Sequence, residues 1–211
     1  MIKAILWDND GVLVDTESLF FEATRAAFAR SGLALTKEIW ATEYLGEGKT
    51  SREVAMSLGG DPDRIAPLID DRNQRYRKIL EQPPQVRPLV RETLAALSGR
   101  VKMAIVTGCH RDQLLLVHRG NDLLRFFDHI VTGDDCVLSK PHPAPYLAAM
   151  QSLNLTAESC IAVEDSPKGL ASARAAGVPC IAVPTDLTRF LEFPDAASIE
   201  QDVSGVLKHI G

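Results

Sequence analysis

Five short runs rich in Ile, Val, Leu and Ala recur along the chain: Lys3 to Trp7, Val101 to Thr107, His129 to Thr132, Cys160 to Glu164 and Pro179 to Pro184. Each is bounded by Gly, Asp or Pro, and apolar residues fall at consecutive positions, as in strands covered on both faces. Helix signals separate the later runs. Gly120 follows Arg111 to Arg119, Pro143 opens a stretch to Leu153, and Ser166-Pro167 opens one that closes at Gly177. Ser before Pro supplies an N-cap and a first helical residue, and Gly supplies the left-handed exit. Strands alternating with helices at this spacing predict right-handed βαβ crossovers. The expected fold is therefore α/β, a doubly wound, Rossmann-like parallel sheet with its ligand crevice at the carboxyl ends of the strands.

The rhythm breaks between residue 15 and about residue 83. Ser18 to Ser31 places residues 20, 24, 27 and 28 on one helical face with Gly32 behind it. Ser51 to Leu58 and Ile65 to Leu80 also read as helices, and no strand candidate lies among them. The sequence thus predicts a core of residues 1–14 and 84–211 and an all-helical insert of residues 15–83. Pro83-Pro84, with Pro88 close behind, predicts a stiff hinge where the insert ends.

A chain of 211 residues is long enough to bury a sizeable core. Its formal charge of -5 argues against a broad basic face for nucleic acid or an anionic membrane. Before Asp8 only Ala4 to Trp7 are continuously apolar, too few for a signal core, so a cytoplasmic protein is expected. Cys109, Cys136, Cys160 and Cys180 show no C-x-x-C spacing and read as reduced thiols. Gly48-Lys49-Thr50 resembles the end of a phosphate-binding P-loop, but the earlier glycine that motif needs is replaced by Glu43 and no strand precedes it.

On the predicted sheet, several chemical groups converge on one edge. Asp8 and Asp10 follow the first strand, Thr107-Gly108 the second, Ser139-Lys140-Pro141 lies after the third, and Glu164-Asp165 ends the fourth. Carboxylates crowded together raise one another's pKa and need a cation. Oxygen ligands with no His or Cys at ligand spacing favour Mg²⁺ over zinc. Lys140 and Thr107, with the backbone N–H groups that follow Thr107, supply what a metal-bound phosphate requires. Asp8 is placed to attack phosphorus as a carboxylate, and Asp10 to protonate the leaving alcohol and then deprotonate water.

These residues resemble the haloacid dehalogenase superfamily over nearly the whole chain. Asp8-Asn9-Asp10-Gly11-Val12 is similar to its first motif, Val106-Thr107-Gly108 to the second, Ser139-Lys140-Pro141 to the third and Val163-Glu164-Asp165-Ser166 to the fourth. The resemblance implies Asp8 as nucleophile and metal ligand, and Asp10 as acid/base and carbonyl ligand. It further implies Thr107 and Lys140 as phosphate holders and Glu164 and Asp165 as the remaining metal carboxylates. Residues 15–83 would then form a helical cap of the type seen in phosphoglycolate phosphatases and β-phosphoglucomutases. The expected activity is Mg²⁺-dependent hydrolysis of a small phosphorylated metabolite, a sugar phosphate or a phosphoglycolate-like ester, through an aspartyl-phosphate. No nucleic acid, membrane or protein partner is implied.

Within the insert, Lys49 and Arg52 are the first candidates to reach substrate, with Arg72 and Arg75 behind them. Cys109 and His110 are expected to line the pocket rather than act as nucleophile and base, since neighbours on a loop rarely face each other. A β-phosphoglucomutase-like mutase is the nearest rival, although such mutases carry a His early in the first cap helix, where this chain has Ser18-Leu19-Phe20-Phe21. A 2-haloacid dehalogenase needs neither Asp10 nor the Glu164-Asp165 pair, and a non-catalytic binding module needs none of the acid, Lys and Thr set.

Overall fold

The computed structural model describes residues 1–210. Its strands are β1 (Ala4–Trp7), β2 (Lys102–Val106), β3 (His129–Val131), β4 (Cys160–Glu164), β5 (Cys180–Ala182) and β6 (Ser198–Ile199). They form one parallel sheet in the order β3-β2-β1-β4-β5-β6. The helices are α1 (Glu17–Ala29), α2 (Lys37–Ile39), α3 (Ser51–Ser57), α4 (Ile65–Ile79), α5 (Val90–Leu97), α6 (Arg111–Val117), α7 (Ala144–Leu153) and α8 (Pro167–Ala175). The chain runs from β1 outward to β3, then returns to lay β4 on the other flank of β1. That reversal puts a switch point between β1 and β4, where the carboxyl ends open a crevice.

Side-chain alternation assigns the two faces of the sheet. Ile5, Trp7, Met103, Ile105, Ile161 and Val163 pack with Val90, Leu94 and Leu97 of α5 and Leu114 of α6. Ala4, Leu6, Ala104, Val106, Cys160 and Ala162 pack with Tyr146 and Ala149 of α7 and Leu170 of α8. Burial on both sides explains why the runs are apolar at every position instead of alternate ones.

In the core, β6 and α5 go beyond the expectation. β6 is two residues long and carries no strand signature; Ala197 and Glu200 donate their N–H groups to Cys180 and Ala182 at 2.8 Å each, so pairing creates it. Helix α5 opens at Leu89 with a left-handed φ of 62° and no side-chain cap, which removes the usual start signal.

Helices α1–α4 lie between β1 and β2 and gather Phe21, Phe28, Trp40, Leu45, Val54, Ile65 and Leu68 into a separate apolar cluster. Between α2 and α3 the segment Trp40–Gly46 winds as a π-helix, which the sequence reading did not foresee. Thr50 is the N-cap of α3: its hydroxyl accepts from Glu53 N at 3.2 Å while Glu53 Oε2 accepts from Thr50 N at 2.7 Å. This capping box, S/T-x-x-E, accounts for the residues that mimic a P-loop ending. The two chain crossings between insert and sheet are tied together, with Asp15 N donating to Gln85 O at 2.9 Å and Arg87 N to Leu13 O at 3.0 Å. Among the described residues, no helix is long and apolar enough to cross a membrane.

Candidate active site

Asp8 follows β1, Glu164 ends β4 and Asp165 follows it, so the switch point brings their carboxylates together. One oxygen of each lies within 4.8 Å of the others, and all three residues are buried. Lys140 reaches into this group from the loop after β3. Its Nζ donates to Asp8 Oδ1 at 2.7 Å, Glu164 Oε1 at 2.6 Å and Val106 O at 2.7 Å, using all three N–H bonds. The Tyr146 hydroxyl on α7 also donates to Glu164 Oε1.

Two of the three buried acids, Asp8 and Glu164, thus face one lysine. Burial pushes the Asp8 carboxyl up to about 8, with the Glu164 charge adding to the rise and Lys140 opposing it. Burial, then the Asp8 charge, drives Asp165 well above the carboxylate range. For Lys140 burial works toward loss of the proton, but Asp8 and Glu164 outweigh it and keep the ammonium charged. Asp165 Oδ2 and Glu164 Oε2 are buried with no hydrogen-bond partner among the described residues. A hard divalent cation fits such a donor set: oxygen atoms only, excess negative charge and an unpartnered carboxylate oxygen.

Two glycines make this crowding possible. A Cβ at Gly11, whose φ is +84°, would stand 2.2 Å from Asp165 Oδ2. At Gly169, in the first turn of α8, a Cβ would stand 1.8 Å from Glu164 Oε2. The helix backbone therefore lies directly on Glu164, whose other oxygen faces Lys140. Ser166 holds that turn in place, its Oγ accepting from Gly169 N at 3.2 Å.

Asp10 is held from both sides. Thr16, at the entrance to α1, donates to its Oδ1 at 2.5 Å, and Thr107 donates to its Oδ2 at 3.0 Å. The Thr107 oxygen also accepts from Cys109 N at 3.1 Å. Thr107 is thus a buried support for Asp10, and Gly108 and Cys109 line the cavity in its place.

Asn9, between the two aspartates, joins a buried relay that no local pattern announced. His118 Nε2 stands 2.7 Å from Asn9 Oδ1, and His118 Nδ1 stands 3.1 Å from Asn121 Oδ1. Burial lowers the His118 pKa, so the ring is neutral and one nitrogen donates while the other accepts. Leu123 N donates to Asn121 Oδ1 at 3.1 Å, which marks that oxygen as the acceptor for Nδ1–H. Nε2 must then accept, and the Asn9 amide satisfies it when turned end for end, which also gives the otherwise unpartnered Asn9 Nδ2 a bond. His118→Leu is expected to lower stability by ~1–3 kcal/mol by stranding that amide. Asn9→Leu/His118→Leu should recover most of the loss in urea unfolding, and equal midpoints for the single variant and wild type would refute the relay.

A cavity of about 740 Å³ opens above the acids and is walled by both the sheet edge and the helical insert. From the core come Asp8, Asp10, Lys140, Glu164 and Asp165, and Cys109 and His110 line it as expected. Burial raises the Cys109 thiol far above its ordinary pKa, so it is no thiolate nucleophile.

The insert contributes differently from the expectation. Lys49 pairs with Glu43 at 3.1 Å and Glu47 at 3.0 Å, Arg52 is exposed, and neither lines the cavity. Arg75 pairs with Asp71 at 2.9 Å and also lies outside it. Arg72, the weaker candidate, does line it, together with Glu17, Phe20 and Tyr44. Lys168 of α8 joins them from the core side. Glu17 and Lys168 were missed because each sits in a first helical turn, where sequence alone reads a solvated charge.

The family model for haloacid dehalogenase-like hydrolases matches residues 5–183. Protein CbbY of Rhodobacter capsulatus is 34% identical over 206 residues, covering 92% of this chain and 91% of its own. A phosphorylated carbohydrates phosphatase of Thermotoga maritima is 31% identical over 183 residues, covering 84% and 82%. Among solved structures, the D10N mutant of CbbY from Rhodobacter sphaeroides in complex with xylulose-(1,5)bisphosphate aligns with a TM-score of 0.77 at 26% identity, over 97% of this chain and 96% of that one. The match spans the sheet, the helical insert and all four strand-end clusters, and the chain belongs to the haloacid dehalogenase-like hydrolase family.

Proposed function

We propose that the protein is a Mg²⁺-dependent phosphatase that hydrolyses a small phosphorylated metabolite of the sugar-phosphate kind through an aspartyl-phosphate. The observation that carries this reading is Asp8, a carboxylate at the tip of the central strand that lines the cavity and is hydrogen-bonded to Lys140. The named phosphatase among its relatives supports it. Residues 15–83 act as a cap over the cavity, and residues 1–14 and 84–211 as the catalytic core.

Asp8, Asp165 and the backbone carbonyl of Asp10 would hold the metal, joined by Glu164 through its unpartnered Oε2, while Glu164 Oε1, taken by Lys140 and Tyr146, places Lys140. When bound, Mg²⁺ supplies positive charge against the phosphate oxygens and fixes the geometry of attack. A carboxylate oxygen of Asp8 forms a bond to phosphorus as the bond from phosphorus to the ester oxygen breaks, and Asp10 gives its proton to the departing alkoxide. Water then attacks the phosphorus of the acyl phosphate, its proton passes to the Asp10 carboxylate, and Asp8 leaves as a carboxylate. Lys140 balances charge on the transferring group throughout. Thr16 and Thr107 keep Asp10 aimed at the cavity from the cap side and the core side respectively.

Phosphate release from p-nitrophenyl phosphate tests the reading. Activity is expected with Mg²⁺, to fall to background in EDTA, and to return when Mg²⁺ is added back; full activity in the chelator would overturn it. A sugar-phosphate mutase uses the same first half-reaction. The region Ser18-Leu19-Phe20-Phe21, early in the first cap helix where a mutase-type His is expected, carries no His, and its Phe20 lines this cavity, which ranks that reading second. Interconversion of hexose phosphates without net phosphate release would reverse the order.

A further inference from the structure

Tyr146 of α7 is fully buried in one apolar cluster with Ala4, Leu6, Val106, Ala162 and Cys180. Phenylalanine would fill that space with no polar atom to satisfy, whereas a phenol in an apolar layer is costly unless its hydroxyl finds a partner. The partner is Glu164 Oε1. Burial, then the Glu164 charge, raises the Tyr146 hydroxyl well above its ordinary pKa, so it keeps its proton and donates. Lys140 Nζ sits over the same ring, 5.3 Å from its centre. One buried side chain thus touches both an acid and the cation of the site.

Glu164 is the residue that this placement constrains. Its Oε1 accepts from both Tyr146 and Lys140, and two donors fill the lone pairs of one carboxylate oxygen. A cation at the acids is then met by Oε2, which has no hydrogen-bond partner among the described residues. On its other side the carboxylate rests on α8, where a Cβ at Gly169 would stand 1.8 Å from Oε2. Helix α7 therefore supplies the donor that saturates one oxygen, and α8 leaves room for the other. Lys140 does not fix the choice alone, because its ammonium is shared with Asp8 and Val106 O. Without the Tyr146 hydroxyl, Oε1 regains a free lone pair and Glu164 can turn either oxygen toward a metal.

We infer that Tyr146 is a positioning residue of the catalytic centre, which saturates Glu164 Oε1 and so presents Oε2 to the divalent cation. This rests on the metal-dependent phosphatase reading and adds to it a residue that touches neither metal nor substrate. Hydrogen-bond partners of metal ligands set the ligands' orientation, and losing one weakens metal binding by about 10- to 100-fold. Tyr146 does not line the cavity, so an effect on Mg²⁺ does not arise from a lost substrate contact.

Titration calorimetry of Mg²⁺ into chelator-treated protein, with no substrate present, tests the role. Tyr146→Phe keeps the ring and is expected to raise the Mg²⁺ dissociation constant by about 10- to 100-fold. The effect should pass through Glu164. In Glu164→Gln the amide oxygen still accepts from Tyr146 and Lys140 while its nitrogen takes the metal-facing place, so adding Tyr146→Phe there should change the constant by less than about threefold. The rise in urea midpoint on adding Mg²⁺ gives a second readout, and it should shrink in Tyr146→Phe relative to wild type. A purely structural aromatic would lower the midpoint in EDTA and leave the Mg²⁺ constant at its wild-type value, a result that would overturn the inference. An equal loss with and without Glu164→Gln would overturn it too, by placing the effect elsewhere. Both results leave the phosphatase standing, whereas a wild type that binds no Mg²⁺ would remove both readings.

Discussion

Asp8→Asn is expected to abolish phosphate release, by about 10⁴-fold or more in kcat, the scale on which loss of a covalent nucleophile acts. An amide oxygen is too weak a nucleophile for phosphorus, and no neighbour can take over. Asp10 is tied to Thr16 and Thr107, Glu164 to Lys140 and Tyr146, and Asp165 is buried beside Gly11. The same substitution should leave the fold intact, and in EDTA it should not lower the urea midpoint. It removes one of three clustered buried acids, and burial already disfavours that charge. The paired measurement, initial rates with Mg²⁺ and unfolding in chelator, separates chemistry from structure. Residual turnover within tenfold of wild type would end the case for Asp8 as nucleophile. A large fall in midpoint would mean that the site is not short of positive charge.

Lys140→Met should have the largest effect on stability. It keeps the length of the side chain but strands two buried carboxylates, Asp8 and Glu164, that Lys140 holds at 2.7 and 2.6 Å. Breaking a buried pair in this way costs about 3–5 kcal/mol, a large share of the ~5–15 kcal/mol that holds a domain together. The midpoint of urea unfolding at neutral pH reads this directly. Adding Glu164→Gln to the Met variant removes one stranded charge and should restore part of the loss, although activity stays absent in both. A single variant as stable as wild type would show that the buried ion pair carries no weight.

How much of this was legible in the sequence follows from the range of each interaction. The five expected strands are all present because runs such as Cys160 to Val163 are apolar at consecutive positions, the pattern of a strand covered on both faces. Helices α7 and α8 were readable from Pro143 and from Ser166-Pro167, whose effects reach only a turn. The two-residue β6 was not, because it exists through its bonds to β5, and α5 was not, because Leu89 starts it without a cap. At the site, Asp8, Asp10, Glu164 and Asp165 stood out because several acids at strand ends are costly without a reason, and Lys140 because a metal-bound phosphate calls for a fixed positive charge.

The supports were hidden for the same physical reason in every case. Tyr146 looks like one more aromatic on the inner face of α7, His118 like a residue at a helix end, and Lys168 like a solvated charge. Lys49 and Arg52 had the right chemistry in the right segment, but Lys49 is taken by its neighbours Glu43 and Glu47 and Arg52 faces solvent. The order of strands and helices, the insert and the acids that line the crevice were determined by the sequence itself, through patterns that act over a few residues. Which side chains face one another across the crevice was decided only by the tertiary structure. Lys140 meets Asp8 over a separation of 132 positions, and Asn9 meets His118 over 109. Arg72 and Lys168 reach one cavity from separate helices, and no local pattern along the chain encodes contacts at such distances.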